Sequence, residues 1–274
     1  MQTVHFHSGG YRLEGHLYFK NQEAPTLVLL HGMTFYSFVY EELAPMLVES
    51  GFNCFTFDFR CHGHSEGPRG YYSMEGLVQD VASVLNYLTD QGLNHFGLFG
   101  NSMGATAAVY TAAADKRILC IAACNTATRP SAVQFTPFRT WLVKSINKLA
   151  RVVPFRIPVG LFMPESMVLD DAARILRVKK DPFVKPARWI APSTYLDLYH
   201  WNAEEKVTKI SCPLLVLRSK RDRLQPQSEA DRLFAAARAP KEYQRIDASH
   251  VPNWEYSSLL HPRLYAFFSE RLNS

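Results

Sequence analysis

The sequence predicts an α/β fold: a mostly parallel sheet of eight strands flanked by helices, with an inserted helical cap. Three observations predict it. Short apolar runs alternate with longer stretches of helical period, the order that builds a parallel sheet covered on both faces. Several runs, among them TLVLL, FGLFG and ILCIAAC, are apolar throughout rather than alternating, as strands buried on both faces are. Between residues 131 and 206 this rhythm stops, and a 274-residue chain with 47% hydrophobic residues has room for one large core plus such an insertion. The core is therefore assigned to residues 1–130 and 207–274, and the cap to 131–206.

Taken in order, VHFH, YRLEGHLYF and TLVLLHG read as strands, with turns marked by Gly9 and Gly10. YEELAPMLVES is an amphipathic helix and FNCFTFDFR the next strand. In SMEGLVQDVASVLNYLTDQG, Leu77, Val81, Val84, Leu85 and Leu88 recur at helical spacing and Gly92 supplies the stop. HFGLFG and its alanine-rich helix follow, then ILCIAACN. CPLLVLRS and EYQRI close the strand count around the helix QSEADRLFAAAR. WEYSSLLHPRLYAFFSERL ends the chain as a helix limited or kinked by Pro262.

The five cysteines are odd in number and several sit in apolar runs, so they read as buried thiols of a reducing compartment. The N-terminal stretch has no basic region followed by an apolar core, and no run approaches the roughly 18 apolar residues that span a bilayer. A soluble, cytoplasmic protein is expected. The net charge of +5 is unevenly spread: residues 139–188 hold eleven Lys or Arg against four acids. No zinc-finger spacing, helix-turn-helix signature or RNA-binding motif accompanies this charge, so nucleic acid is not expected as a partner. The cap's first stretch, TPFRTWLVKSINKLARVVP, is an amphipathic basic helix. Such a helix ordinarily packs on its own domain; weak contact with an anionic membrane surface is the alternative. The oligomeric state is not legible.

In LFGNSMGATAAV one serine, Ser102, stands between two glycines where a strand gives way to a helix. Serine is a favoured N-cap, and that explains it without chemistry. The pattern G-x-S-x-G also fits a nucleophile elbow, where glycines two positions either side remove clashing Cβ atoms from a strained turn. A serine nucleophile needs a histidine base, an orienting carboxylate and N–H donors for the oxyanion. Asp222 lies just past the strand CPLLVLRS and His250 just past EYQRI, both on the strand-end loops where a parallel sheet collects reactive groups. The strand ending His31-Gly32 can aim the N–H of Met33 toward the serine, with Met103 supplying a second N–H.

Together HGMTFYS, DFRCHGHSEGPRGYYSMEGLVQDV, GNSMGA, RDRLQP and the pair Ser249-His250 resemble the α/β-hydrolase superfamily, in particular its monoacylglycerol-lipase-like and serine-aminopeptidase-like branch. The resemblance covers most of the core and leaves the insertion unmatched. It implies an α/β-hydrolase fold, Ser102 as nucleophile, Asp222 as acid, His250 as base, and the backbones of Met33 and Met103 as oxyanion donors. The chain departs from that family's pattern at Cys61, where the loop usually has glycine, and at Ala105, where a second glycine is common.

Other residues compete for roles. His5-x-His7 and His62-x-His64 have metal-ligand spacing, but no carboxylate or cysteine cluster in the sequence supports a site, so neither metal nor cofactor is expected. Cys61 and Cys212 read as inert thiols, and Asp247 lies too near His250 to be the acid. Asp197 and His200 either contact substrate or solvate the insertion. His31, Trp141, Trp189, Trp201 and Trp254 are the candidates for substrate binding. The expected substrate is a small hydrophobic ester or thioester, such as a monoacylglycerol or lysolipid. The alternatives are a C–C bond hydrolase of the vinylogous-diketone type, whose elbow resembles GNSMG and which has a tryptophan soon after the histidine as in HVPNWE, or a non-catalytic binder on a hydrolase scaffold.

Overall fold

The computed structural model describes residues 1–133, 141, 144, 145, 155–161 and 163–272. One eight-stranded sheet organises it, built from β1 (Gln2–Ser8), β2 (Tyr11–Tyr18), β3 (Thr26–Leu30), β4 (Asn53–Phe57), β5 (Phe96–Asn101), β6 (Ile118–Cys124), a short β7 and β8 pair outside it (Ile157–Pro158 and Trp189–Ile190), β9 (Leu214–Ser219) and β10 (Lys241–Ile246). The order is β1-β2-β4-β3-β5-β6-β9-β10; β1, β2 and β4 pair antiparallel, and every pairing from β4 onward is parallel. The eight expected strands are all present.

The sheet separates two apolar layers, and the alternation within β3 shows how. Val28 and Leu30 pack with α2 (Met74–Asp90) and α3 (Met103–Ala112), whereas Leu27 and Leu29 pack with α1 (Leu43–Glu49) and the helix Ser257–Leu272. Central strands are buried along their whole length because helices cover both faces; the edge strand β1 alternates exposed and buried. At the C-terminus the helix breaks at Tyr256 rather than at Pro262, which lies within Ser257–Leu272, and a separate turn of helix, Pro252–Glu255, precedes it.

Between β6 and β9 the described residues form short helices, including Glu165–Val168, Ala172–Lys180, Val184–Ala187 and Pro192–His200. The expected basic helix over 136–154 lies outside the described residues, save Trp141, Lys144 and Ser145. Asp197 has a structural task. Its Oδ2 accepts from the N–H of Met74 at the start of α2 (2.7 Å) and from Trp201 Nε1 (2.8 Å), a carboxylate set against the positive end of a helix. Among the described residues no helix is long and apolar enough to cross a membrane. All five cysteines are free thiols, and four of them are buried.

Candidate active site

Ser102 occupies the turn between β5 and α3 with φ 56° and ψ −117°, a left-handed conformation that a residue with a Cβ adopts only under constraint. Its hydroxyl makes no cap bond to α3, so capping does not explain the serine. The turn is held by backbone: the Ser102 N–H donates to Cys124 O (2.9 Å) and its carbonyl accepts from Thr106 N–H (3.1 Å). The glycines two positions away permit it. A Cβ on Gly104 would stand 2.1 Å from Leu30 O and 2.7 Å from His31 O, and one on Gly100 would stand 2.3 Å from Gly104 O. The small side chains of α3 let that helix approach β3 and β5 closely enough to aim the turn.

His250 follows β10 and shares a narrow cavity with Ser102, Met33, Gly32 and Asn101. Its Nδ1 donates to Asp222 Oδ2 at 2.8 Å, leaving Nε2 as the ring nitrogen open to a further partner. The other carboxylate oxygen, Oδ1, accepts from the N–H groups of Leu224 (2.8 Å) and Gln225 (2.9 Å). Burial pushes the Asp222 carboxyl up, but His250, the Gln225 N–H and Arg218 outweigh it and hold the group below the usual carboxylate range. Asp247, by contrast, is exposed and pairs with Arg221, away from His250.

Two residues at this site went unread in the sequence. Arg218 lies near the end of β9, is 7% exposed, and sets Nη1 3.0 Å from Asp222 Oδ2 while Nη2 donates to Gln225 O (2.7 Å). Its signal was a lone charge inside the apolar run LLVLRS. Asn125, just past β6 with φ 48°, donates from Nδ2 to His250 O (3.0 Å) and Ser219 Oγ (2.9 Å) and accepts the Ser219 N–H at Oδ1 (2.9 Å). It ties the β9 and β10 ends together. In the cavity, Asn101 has a buried Oδ1 with no hydrogen-bond partner.

The candidate substrate-binding residues separate. Met33 and Gly32 line the cavity, but His31 does not: fully buried, it accepts the Phe59 N–H at Nε2 (3.0 Å) and donates from Nδ1 to Gly32 O (2.9 Å), fixing the loop from behind. Trp201 is buried and engaged with Asp197. Trp254 is fully buried against Phe35 and Phe38, with the guanidinium groups of Arg174 and Arg177 4.8 Å and 5.4 Å from its ring centroid. Trp189 is 48% exposed and borders a second, outer cavity, and Trp141 is 62% exposed. Aromatic composition signalled tryptophans without telling which way they face.

Of the two histidine pairs, His5 and His64 meet carboxylates, contrary to expectation: His5 Nε2 stands 3.3 Å from Glu14 Oε2, and His64 Nδ1 stands 3.5 Å from Glu14 Oε1 and 3.4 Å from Asp58 Oδ2. Both Asp58 oxygens already accept backbone N–H groups, of Ser37 (2.8 Å) and His64 (2.7 Å), so this cluster anchors the loop after β4. Cys61, in the position where glycine is common, has φ 65°; burial pushes its thiol up to about 11. It is an inert thiol carrying a glycine's backbone conformation.

With strand order, elbow and strand-end loops in place, comparison with known proteins becomes informative. Residues 21–250 match the family model described as serine aminopeptidase, S33. The chain belongs to that family of α/β hydrolases. It is 27% identical over 248 residues to the uncharacterized 31.7 kDa protein in the traX-finO intergenic region of Escherichia coli, with 86% of each chain covered. It is 25% identical to a 2-hydroxy-6-oxononadienedioate/2-hydroxy-6-oxononatrienedioate hydrolase of Klebsiella pneumoniae, covering 91% of this chain and 88% of the other. The chain also superposes on the crystal structure of a Paleococcus ferrophilus monoacylglycerol lipase with a TM-score of 0.76 and 22% identity, covering 94% of this chain and 99% of that one.

Proposed function

We propose that the protein is a serine hydrolase cleaving an ester or thioester with a hydrophobic acyl group, through an acyl-enzyme on Ser102. The observation that carries this reading is the strained, uncapped Ser102 on one cavity with His250, whose Nδ1 is bonded to a buried Asp222. In this reading Ser102 Oγ attacks the carbonyl carbon as its proton passes to His250 Nε2. The N–H groups of Met33 and Met103 receive the negative oxygen, and His250 returns the proton to the departing alcohol or thiol. Water, giving a proton to His250, then attacks the acyl-enzyme; the acid and free Ser102 result. Asp222 holds the imidazole's orientation and balances its charge while it is protonated.

The described part of residues 131–206 acts as a cap over this site, Met163 and Val168 lining the cavity. The five free thiols fit a reducing compartment such as the cytoplasm. Any membrane contact would run through the basic stretch 136–154, and sedimentation with anionic liposomes tests it. The decisive experiment is labelling with a fluorophosphonate probe. Wild type should label and Ser102→Ala should not, and an ester panel should favour apolar acyl groups. Equal labelling of the two proteins, or of neither, refutes the assignment. A second reading, hydrolysis of a C–C bond in a vinylogous diketone, is favoured by the Klebsiella relative. Bleaching of a dienol substrate by wild type would establish it.

A further inference from the structure

Three cavities follow one another by shared lining residues from Ser102 to the outer face of the inserted segment, the inner two narrow, with room for about 10 Å³ each. The innermost, beside Ser102 and His250, shares Phe35, Met163 and Val168 with a second. That one shares Glu165, Val178 and Arg188 with a third, of about 210 Å³, bordered by Lys179, Lys185 and Trp189. The passage thus changes character along its length. Phe35, Met163, Val168 and Val178 make the inner part apolar. At the waist Glu165 and Arg188 pair at 2.6 Å, both largely shielded from solvent, and neutralise each other. Beyond them Lys179 and Lys185 are exposed, and among the described residues no carboxylate forms an ion pair with either. The mouth therefore carries two uncompensated positive charges beside an exposed indole face. That is the charge pattern of a site for an anion joined to an apolar body.

We propose that the substrate is an amphiphile bearing an anionic group, a carboxylate or a phosphate, at the end remote from the bond cleaved, and that Lys179 and Lys185 bind that group. This deepens the hydrolase reading and rests on Ser102 being the nucleophile. The anion lies outside the Glu165–Arg188 pair, and the apolar chain between it and the carbonyl lies along the inner cavities, which must widen to take it. Solvation of the anion is only partly lost at so open a mouth, so its contribution is to affinity and to orientation rather than to the chemical step.

The test uses matched 4-nitrophenyl esters of equal acyl length, ending in methyl, carboxylate or phosphate, with wild type, Lys179→Ala/Lys185→Ala and Lys179→Glu/Lys185→Glu. For the anionic esters the charge-reversed protein should show a KM raised about tenfold, and added salt should raise the wild-type KM in the same direction. The methyl-ended ester should keep its kcat and KM in all three proteins. Comparing the carboxylate and phosphate arms identifies which anion is preferred. Equal handling of neutral and anionic esters by wild type, or equal KM changes for both in the variants, overturns the proposal. Loss of turnover on every ester together with absent fluorophosphonate labelling would instead refute the Ser102 reading. The mouth is then judged by calorimetry with a long-chain dicarboxylate: binding abolished by Lys179→Glu/Lys185→Glu sustains it, and no binding or unchanged binding ends it.

Discussion

The sheet edge that carries Ser102 and the inserted segment that overlies it are held by different physics. At the edge, Thr34, Ser102 and Asn125 all have positive φ, at 68°, 56° and 48°, and are kept there by buried backbone hydrogen bonds and close-packed glycines. The segment from 163 to 190 is held by a few buried apolar side chains, Val168, Leu169, Val178 and Val184, together with side-chain charge. Arg174 pairs with Glu42 (2.7 Å), Arg177 grips Glu41 with two nitrogens while stacking on Phe38 and Trp254, Tyr36 donates to Asp181 (3.0 Å), and Glu255 accepts the N–H groups of Asp170 and Asp171. Two of the eleven basic residues read from the sequence, Arg174 and Arg177, thus fasten this segment onto core glutamates. The difference teaches where each perturbation should act: backbone crowding and burial govern the groups around Ser102, and solvent-screened pairs act on the segment beside them.

The largest expected effect comes from breaking the first region directly. In Gly104→Ala the new methyl would lie 2.1 Å from Leu30 O, a backbone atom in a central strand that has nowhere to go. Destabilisation of about 3 kcal/mol or more is expected by chemical denaturation, with loss of probe labelling at Ser102. A variant as stable as wild type would show that α3 can move away from β3, and that the elbow is less constrained than its geometry indicates.

Next is Arg218→Met, which keeps the bulk and removes the buried charge on Asp222 Oδ2. Leaving a buried carboxylate short of a partner costs about 3 kcal/mol in comparable pairs, and Asp222 retains His250 and two N–H donors, so that figure is an upper expectation. The kinetic signature separates this role from simple packing. With the nearby cation gone, the Asp222 carboxyl is held down less, so the acid limb of kcat/KM against pH should move to higher pH. A stability loss with an unmoved limb would make Arg218 a packing residue alone.

How much of this was legible in the sequence follows the same division. The strands were readable because buried parallel strands are continuous apolar runs, and Ser102, Asp222 and His250 stood out because each lies just past such a run. Arg218 and Asn125 were not, since their function depends on pairings between β6, β9 and β10 that chain order does not contain. The elbow glycines could be read as permissive, but the atoms they make way for, Leu30 O and Gly104 O, come from packing. In the inserted segment, composition revealed charge and aromatic content while direction stayed hidden. Trp201 there turns out to face Asp197, as in the core His31 faces backbone and Trp254 the Arg174–Arg177 pair.

Acid should weaken the first region selectively. His31 accepts an N–H at Nε2 and is fully buried, and both it and His62 have pKa values pushed down by burial, His62 to about 3. An unfolded chain binds these protons near pH 6.5, so the folded state's advantage is whole above that pH and is lost as pH falls below it, for His62 by about 1.4 kcal/mol per pH unit from 6.5 toward 3. Denaturation of wild type and His62→Gln at pH 7, 6 and 5 checks it. The variant should lose one histidine's share of the slope, and parallel slopes would contradict the account.

Salt should act on the second region instead, and with the smallest effect. The side chains of Arg177 and Glu41 are 48% and 41% exposed, so their pairing is worth no more than about 1 kcal/mol. Arg177→Ala should leave global stability nearly unchanged. Because the pair fastens the helix that carries Val178 and Lys179 rather than the groups around Ser102, loosening it should raise KM a few-fold while kcat holds. High salt should reproduce that change in wild type and add little in the variant, whose contact is already gone. A fall in kcat of the same size as the rise in KM would mean that the inserted segment also positions the reacting groups, and the two regions would have to be treated as one mechanical unit.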